Sequence, residues 1–127
     1  MAQRVESKDS LDDFPTPPWA TRALIEHIIS PKAVQDLTCL EPACNRGFMS
    51  TPLKDYFKSV TSSDVHDYGF GEVKDFLNQD YNEGQFDWVI TNPPFKLAED
   101  FVREGLRVAN FGVAMLTRTV FIESVGR

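Results

Sequence analysis

Residues 86–95 read Phe86-Asp87-Trp88-Val89-Ile90-Thr91-Asn92-Pro93-Pro94-Phe95, and residues 96–109 continue KLAEDFVREGLRVA. The apolar run at 86–91 has the length of a strand, and two prolines end it because they cannot donate to a ladder. Leu97, Phe101, Val102, Leu106 and Ala109 then fall on one helical face, and FGVAMLT at 111–117 is a second strand. Working outward, further strands are expected at 35–41 (QDLTCLE), at 60–65 (VTSSDV) and, briefly, near 72–75. Helical stretches lie between and before them. Thr16 can cap a helix with Pro17 at its first position, and Trp19, Ala20, Ala23, Leu24 and Ile28 form its apolar face until Ser30-Pro31. Residues 51–58 open similarly, with Thr51 as cap and Pro52 next. Strands alternating with helices predict an α/β fold, a mainly parallel, doubly wound sheet covered by helices on both faces.

Composition sets the outer bounds. At 127 residues the chain suffices for one domain, and its 42% hydrophobic and 25% charged content is that of an ordinary globular protein. No apolar run approaches membrane-span length, and MAQRVESKDS has no signal-peptide core, so no membrane association and a cytoplasmic location are expected. Residues 1–13 read as a flexible tail and 14–127 as the domain. Cys39 and Cys44 lack a second pair or a histidine at ligand spacing, so reduced thiols and no metal are expected. Thirteen basic against nineteen acidic residues give a net charge of −6. The segment from Asp64 to Asp87 holds seven acids and one base, so it carries all of that excess. A non-specific nucleic-acid binder needs a basic footprint, which this chain lacks.

The residues that suggest chemistry sit where strands end. Asn92-Pro93-Pro94-Phe95 follows the apolar strand directly. As a plain terminator, Pro-Pro ends pairing and Asn suits a turn. As a site, the Asn92 amide oxygen and the Pro93 carbonyl give an exocyclic amino group two acceptors, and Phe95 offers a face for stacking a base. Leu40-Glu41-Pro42-Ala43-Cys44-Asn45-Arg46-Gly47 is a turn after the first expected strand, where a nucleotide-like cofactor approaches the backbone. Gly47 permits close approach, and Asn45 tolerates positive φ. Glu41 either accepts from an ammonium group or bound water, or caps the next element. Asp64, with Val65 beside it, ends the second expected strand 23 residues on, where nucleotide-binding α/β folds place a ribose acid. It reads equally as a solvated acid. Asp75-Phe76 either pairs and stacks an adenine or supplies a turn residue and a core ring. Cys44 has no His or Lys activator in the sequence nearby and is not read as a nucleophile.

In this order these stations resemble the class I S-adenosylmethionine-dependent methyltransferases, specifically those acting on DNA adenine N6. Asp64-Val65-His66-Asp67-Tyr68-Gly69 together with Thr91–Phe95 is similar to phage and prophage members. The resemblance covers residues 13–124. It implies S-adenosylmethionine as cofactor, held by Thr16 (in a segment closing over its methionine part), Glu41, Pro42, Ala43, Asn45, Gly47, Asp64, Val65, Asp75 and Phe76. It implies Asn92, Pro93, Pro94 and Phe95 as the catalytic set and DNA as substrate. Asn45 stands where the family commonly has glycine.

The same tetrad serves methyltransferases of cytosine N4 and of glutamine amides in proteins. Family sheets also continue past the fifth strand, whereas this chain supplies five. A C-terminally incomplete domain is therefore expected, with a non-catalytic remnant or a homodimer or partner chain completing the sheet as the remaining alternatives. Residues 119–124 read as the start of one more element.

Overall fold

The computed structural model describes residues 15–116. The expected tail over residues 1–13 and the element at 119–124 lie outside the described residues. Five strands form one parallel sheet: β1 (Thr38–Glu41), β2 (Ser59–Asp64), β3 (Glu72–Val73), β4 (Phe86–Thr91) and β5 (Ala109–Met115), in the order β3-β2-β1-β4-β5. Cys39 and Leu40 point to opposite faces, as do Val89 and Ile90, and all four are buried. Burial on both faces is why these strands read as unbroken apolar runs rather than alternating ones.

Two cores result. Cys39 and Ile90 pack with Leu24, Ile25, Met49, Leu53 and Phe57 on one face. Leu40 and Val89 pack with Phe76, Phe101, Val102, Val108 and Met115 on the other. The second core is roofed by the helix Ala98–Val108, which a 3₁₀ turn at Phe95–Leu97 precedes. Acidic Glu99 and Asp100 in its first turn and Arg107 in its last complement the helix dipole. The expected face holds at Phe101 and Val102, whereas Leu106 is exposed.

The first helix departs most from expectation. It runs Pro18–Ala23 with Pro18 at its first position and Pro17, at φ −66° and ψ 145°, as the cap residue. Thr16 makes no cap. From Leu24 to Ile29 the turns widen to π geometry, closed by Ser30 N–H donating to Ile25 O at 2.6 Å. Thr21, Leu24 and Ile25 are the buried stripe, while Trp19 is 72% and Ile28 76% exposed. Wide turns shift the register by a fraction of a residue per turn, so an apolar row counted at 3.6 no longer meets the sheet. The exposed pair borders an apolar groove of about 490 Å³ with Trp88, Ala114 and Leu116.

Smaller differences have local causes. A helical turn at Pro31–Val34 uses residues before β1, so the strand begins at Thr38 and not at 35. The stretch expected as a helix over 51–58 is α-helical only over Ser50–Leu53, with Met49 as cap and Thr51 making no cap. Beyond it Asp55 N–H donates to Pro52 O and Tyr56 N–H to Leu53 O, the tighter three-residue spacing. β5 begins two residues earlier than expected, at Ala109, because the preceding helix stops at Val108.

Candidate functional site

Parallel pairing sets the carboxyl ends of the strands along one edge. Thr38 pairs Ser59, Leu40 pairs Val89 and Ser63 pairs Glu72, so Glu41, Thr91 and Asp64 all end at one edge, Thr91 one residue and Asp64 two residues beyond the level of Glu41. The strand order reverses between β1 and β4, and a crevice outside that point is where open α/β sheets bind ligands. Three of the expected stations, the Glu41 turn, Asp64 and Asn92, thus gather at one end of the sheet, with Asp75 two residues beyond β3.

Glu41 is fully buried at the centre of this edge. Its Oε1 accepts from Ser50 Oγ, and its Oε2 accepts from Thr91 Oγ1 at 3.0 Å. Ser50 Oγ in turn shares a hydrogen bond of 2.6 Å with Ser62 Oγ. One carboxylate therefore links the helix after the turn, the end of β4 and, through Ser50, β2. Burial, opposed by the Ser50 and Thr91 hydrogen bonds and reinforced by Asp64, pushes the carboxyl up to about 7. The Ser50, Ser62 and Thr91 partners were not singled out by sequence reasoning. A threonine hydroxyl closing the apolar strand Phe86–Ile90 was the available signal, because a buried hydroxyl needs a partner.

Asp64 holds the turn itself. Its Oδ2 accepts from Asn45 N–H and its Oδ1 from His66 N–H, both at 2.9 Å. Cys44 N–H donates to Ser63 O at 2.8 Å, so Pro42–Gly47 is pinned against β2. Asn45 takes the left-handed conformation, φ 51°, that its side chain tolerates better than most. Arg46 lies over the Tyr68 ring at 5.4 Å, and His66 meets the same ring edge-on at 4.6 Å, which rims the turn with aromatic surface. Cys44 is buried, and burial, with Glu41 and Asp64 adding negative potential, pushes its thiol up to about 12. It stays protonated at neutral pH, unsuited to nucleophilic attack.

Two stations differ from their functional reading. Phe76 does not present a stacking face: it is 1% exposed, its ring 5.1 Å from that of Phe101, because the 3₁₀ turn Phe76–Asn78 directs it into the core. Asp75 caps that turn, accepting from Leu77 N–H at 3.1 Å, and is exposed. At Gly47 (φ +91°) the close approach comes from the protein, since a Cβ would sit 2.7 Å from the Phe70 ring. Gly47→Ala is expected to cost about 1–3 kcal/mol through positive φ and displacement of Phe70. Gly69→Ala, at φ +82° with nothing within 4 Å, isolates the φ contribution. Urea denaturation of both variants checks this, and equal losses would remove the ring from the account.

Asn92 leaves β4 at the switch point and donates from Nδ2 to Thr16 Oγ1 at 3.0 Å. Pro93 is buried, Pro94 O accepts from Leu97 N–H at 3.0 Å, and Phe95 is 53% exposed. The fixed prolines and the following 3₁₀ turn hold Phe95 out from the sheet end.

No protein-family model and no curated protein matches the chain. Solved structures do. One is a protein from Methanococcus maripaludis assigned as an S-adenosyl-L-methionine-dependent methyltransferase, with 15% identity and a TM-score of 0.55 over 77% of this chain and 54% of that one. Another, from Anaeromyxobacter dehalogenans and assigned as a type II methyltransferase, has 18% identity and a TM-score of 0.56 over 80% of this chain and 46% of that one. The fold is that of a class I methyltransferase. The chain spans about half the length of each of these two structures. On the methyltransferase fold, the Glu41 turn and Asp64 flank one side of the switch point and Asn92 the other. Among the described residues no helix is long and apolar enough to cross a membrane.

Proposed function

We propose that the chain binds S-adenosylmethionine and transfers its methyl group to an exocyclic amino group, with adenine N6 in DNA as the acceptor. The observation that carries this reading is Asn92-Pro93-Pro94-Phe95 at the carboxyl end of β4, beside the reversal of strand order, with an exposed aromatic next to a held amide. The chemistry of the polar set supports the cofactor. Glu41 and Asp64 are both acceptors at the carboxyl end of the sheet, and the ligand presents donors: an ammonium group and a ribose diol. When bound, it supplies an electrophilic methyl on a sulfonium, whose C–S electron pair stays with sulfur as the new N–C bond forms.

The chain's own residues hold and orient. Asn92 Oδ1 and the Pro93 carbonyl accept from the amino group, drawing positive charge onto it as it attacks and releases its proton to solvent. Phe95 stacks the base, worth about 1–3 kcal/mol. A target inside duplex DNA must be flipped out or presented single-stranded, at a cost of a few kcal/mol. The acidic surface favours a protein acceptor as the second reading, with a glutamine amide in place of the base.

Calorimetric titration of S-adenosylmethionine tests the cofactor. Saturable binding is expected, about tenfold or more weaker in Asp64→Asn, which loses the charge and keeps one of the two acceptors that hold the turn. Asp64→Ala also strips the Asn45 and His66 N–H groups of their acceptor, so its loss mixes binding with folding. At about 100 times the dissociation constant the ligand adds roughly 2.7 kcal/mol of stability. Tritiated methyl incorporation into DNA rather than protein then tests the acceptor, and a folded protein that binds no cofactor would overturn the reading.

A further inference from the structure

The helix Pro18–Ala23 and the π turns Leu24–Ile29 divide their side chains between two sides. Arg22 bonds Asp55 at 2.8 Å and Glu26 accepts from Tyr56 OH, so the charged groups are engaged by the segment after Leu53. The other side is apolar. There Trp19 and Ile28 flank the groove of about 490 Å³ beside Trp88. A second hollow of about 440 Å³ shares Ile28 and Trp88 and runs on to Phe111. Small side chains keep the groove open, with Ala20 and Ala23 on the helix and Ala114 on β5. Among the described residues β5 is the last strand of the sheet, so no further strand closes that flank.

The backbone that exposes Ile28 is strained and gains nothing within one chain. The widened turns end at Ser30, which stands at φ 110°, a region that L-residues rarely adopt. Their effect is to turn a large apolar side chain out to solvent, which is unfavourable unless something covers it. Electrostatics select the cover. The chain carries a net charge of −6, yet the described residues lining the two hollows include one ionisable side chain, His27, and no acid. Two copies repel where the acids of residues 64–87 face one another, and they can approach across this neutral face. Its shape also suits itself: Trp19 and Ile28 protrude beside a groove, and a two-fold axis sets each knob against the hollow of the other copy. Trp19, Ile28 and Phe111 are 72%, 76% and 63% exposed, together roughly 400 Å² of apolar side chain. That is about half of the ~800 Å² that each partner gives to a standard interface, which suits a dimer forming at micromolar concentration.

We propose that this face docks a second copy of the chain, with Trp19 and Ile28 of each protomer filling the groove of its partner. The docking is independent of what the carboxyl end of the sheet binds. Sedimentation velocity of the full chain from about 1 to 200 µM is expected to show monomer passing to dimer. Emission from Trp19 and Trp88, the two tryptophans of the chain, shifts to the blue along the same curve. Ile28→Asp and Trp19→Ser each raise the dissociation constant about tenfold or more. Leu106→Asp, an exposed position on the helix over the other face of the sheet, leaves it unchanged. Both interface variants change exposed side chains, and far-UV circular dichroism checks that each is folded. Raising salt from about 50 to 500 mM leaves the dimer as tight or tightens it, because screening removes repulsion between acidic copies. A chain that stays monomeric across the range, a dimer that survives both Ile28→Asp and Trp19→Ser, or one that salt dissociates would overturn the docking. A monomer in which both tryptophans resist acrylamide quenching would overturn it too, since another part of the chain would then cover the face.

Discussion

Asn92→Ala is expected to lower methyl transfer by about 10²–10³-fold while leaving S-adenosylmethionine affinity within a few-fold of wild type. The magnitude follows from the role proposed for the amide, stabilising positive charge that develops on the attacking nitrogen, since removing one preorganised partner for developing charge costs about that much. The sparing of cofactor binding follows from the sheet. Asn92 leaves β4, whereas the cofactor turn leaves β1 and is held by Asp64 on β2. The hydrogen bond to Thr16 that the variant loses is part-buried and worth about 1 kcal/mol, so a thermal melt of the variant accompanies the assay. Phe95→Leu is the natural companion. It removes a stacking face that is 53% exposed, so the loss falls on acceptor KM, about tenfold, with kcat less affected. Single-turnover assays with tritiated cofactor separate the two effects. An Asn92→Ala protein that methylates at the wild-type rate would remove Asn92 from the chemistry.

How much of this was legible beforehand varies with sequence distance. The central strand β4 was legible because burial on both faces writes it as an apolar run, and the placement of Asn92 followed from where that run stops. The left-handed turn at Asn45 was legible from the residue itself. What depended on distant partners was not. A hydroxyl before Pro-Pro reads equally well as a helix cap, and only the fold brings Thr16 to Asn92. Ile28 sits in a correct 3.6-residue row, yet the π turns carry it out to 76% exposure, since periodicity cannot report a change of helical pitch. The spacing of Leu53, Tyr56 and Phe57 is helical, which is why residues 51–58 read as one helix although the hydrogen bonds of Asp55 and Tyr56 tighten to three-residue spacing before Phe57 bonds Leu53 four residues back. Phe76 could stack a ligand or fill a core, and Phe101, 25 residues away and 5.1 Å distant, decides for the core.

Glu41 should give this protein a pH-dependent stability of unusual sign for a carboxylate. Most native carboxylates are held below their unfolded value, so stability is lost in acid. Here burial raises the carboxyl from 4.5 to about 7. Below pH 4.5 both folded and unfolded states are protonated, and the group's contribution is fully present. As pH rises from 4.5 to 7 the unfolded chain ionises first, so stability falls, by about 3 kcal/mol in all at about 1.4 kcal/mol per unit, and then levels off above 7. The network can take the proton without losing a bond. Ser50 Oγ accepts from a protonated Glu41 and turns its own hydrogen to Ser62 Oγ, 2.6 Å away, while Thr91 continues to donate. Asp64 is the charged group whose field raises Glu41 further. Glu41→Gln keeps the shape and the carbonyl acceptor and cannot ionise, so urea denaturation at pH 5, 6, 7 and 8 is expected to show the wild-type decline flattened in the variant. Glu41→Ala, which leaves Ser50 with Ser62 but strands the Thr91 hydroxyl, loses about 1–3 kcal/mol for that unpaired group. If Glu41→Gln retained the full wild-type slope, the buried carboxyl would not be the group that titrates. Since Thr91 precedes Asn92 directly, the same titration reaches the proposed chemistry through β4: ionising Glu41 strengthens the charge-assisted bond from Thr91 that fixes where the strand ends.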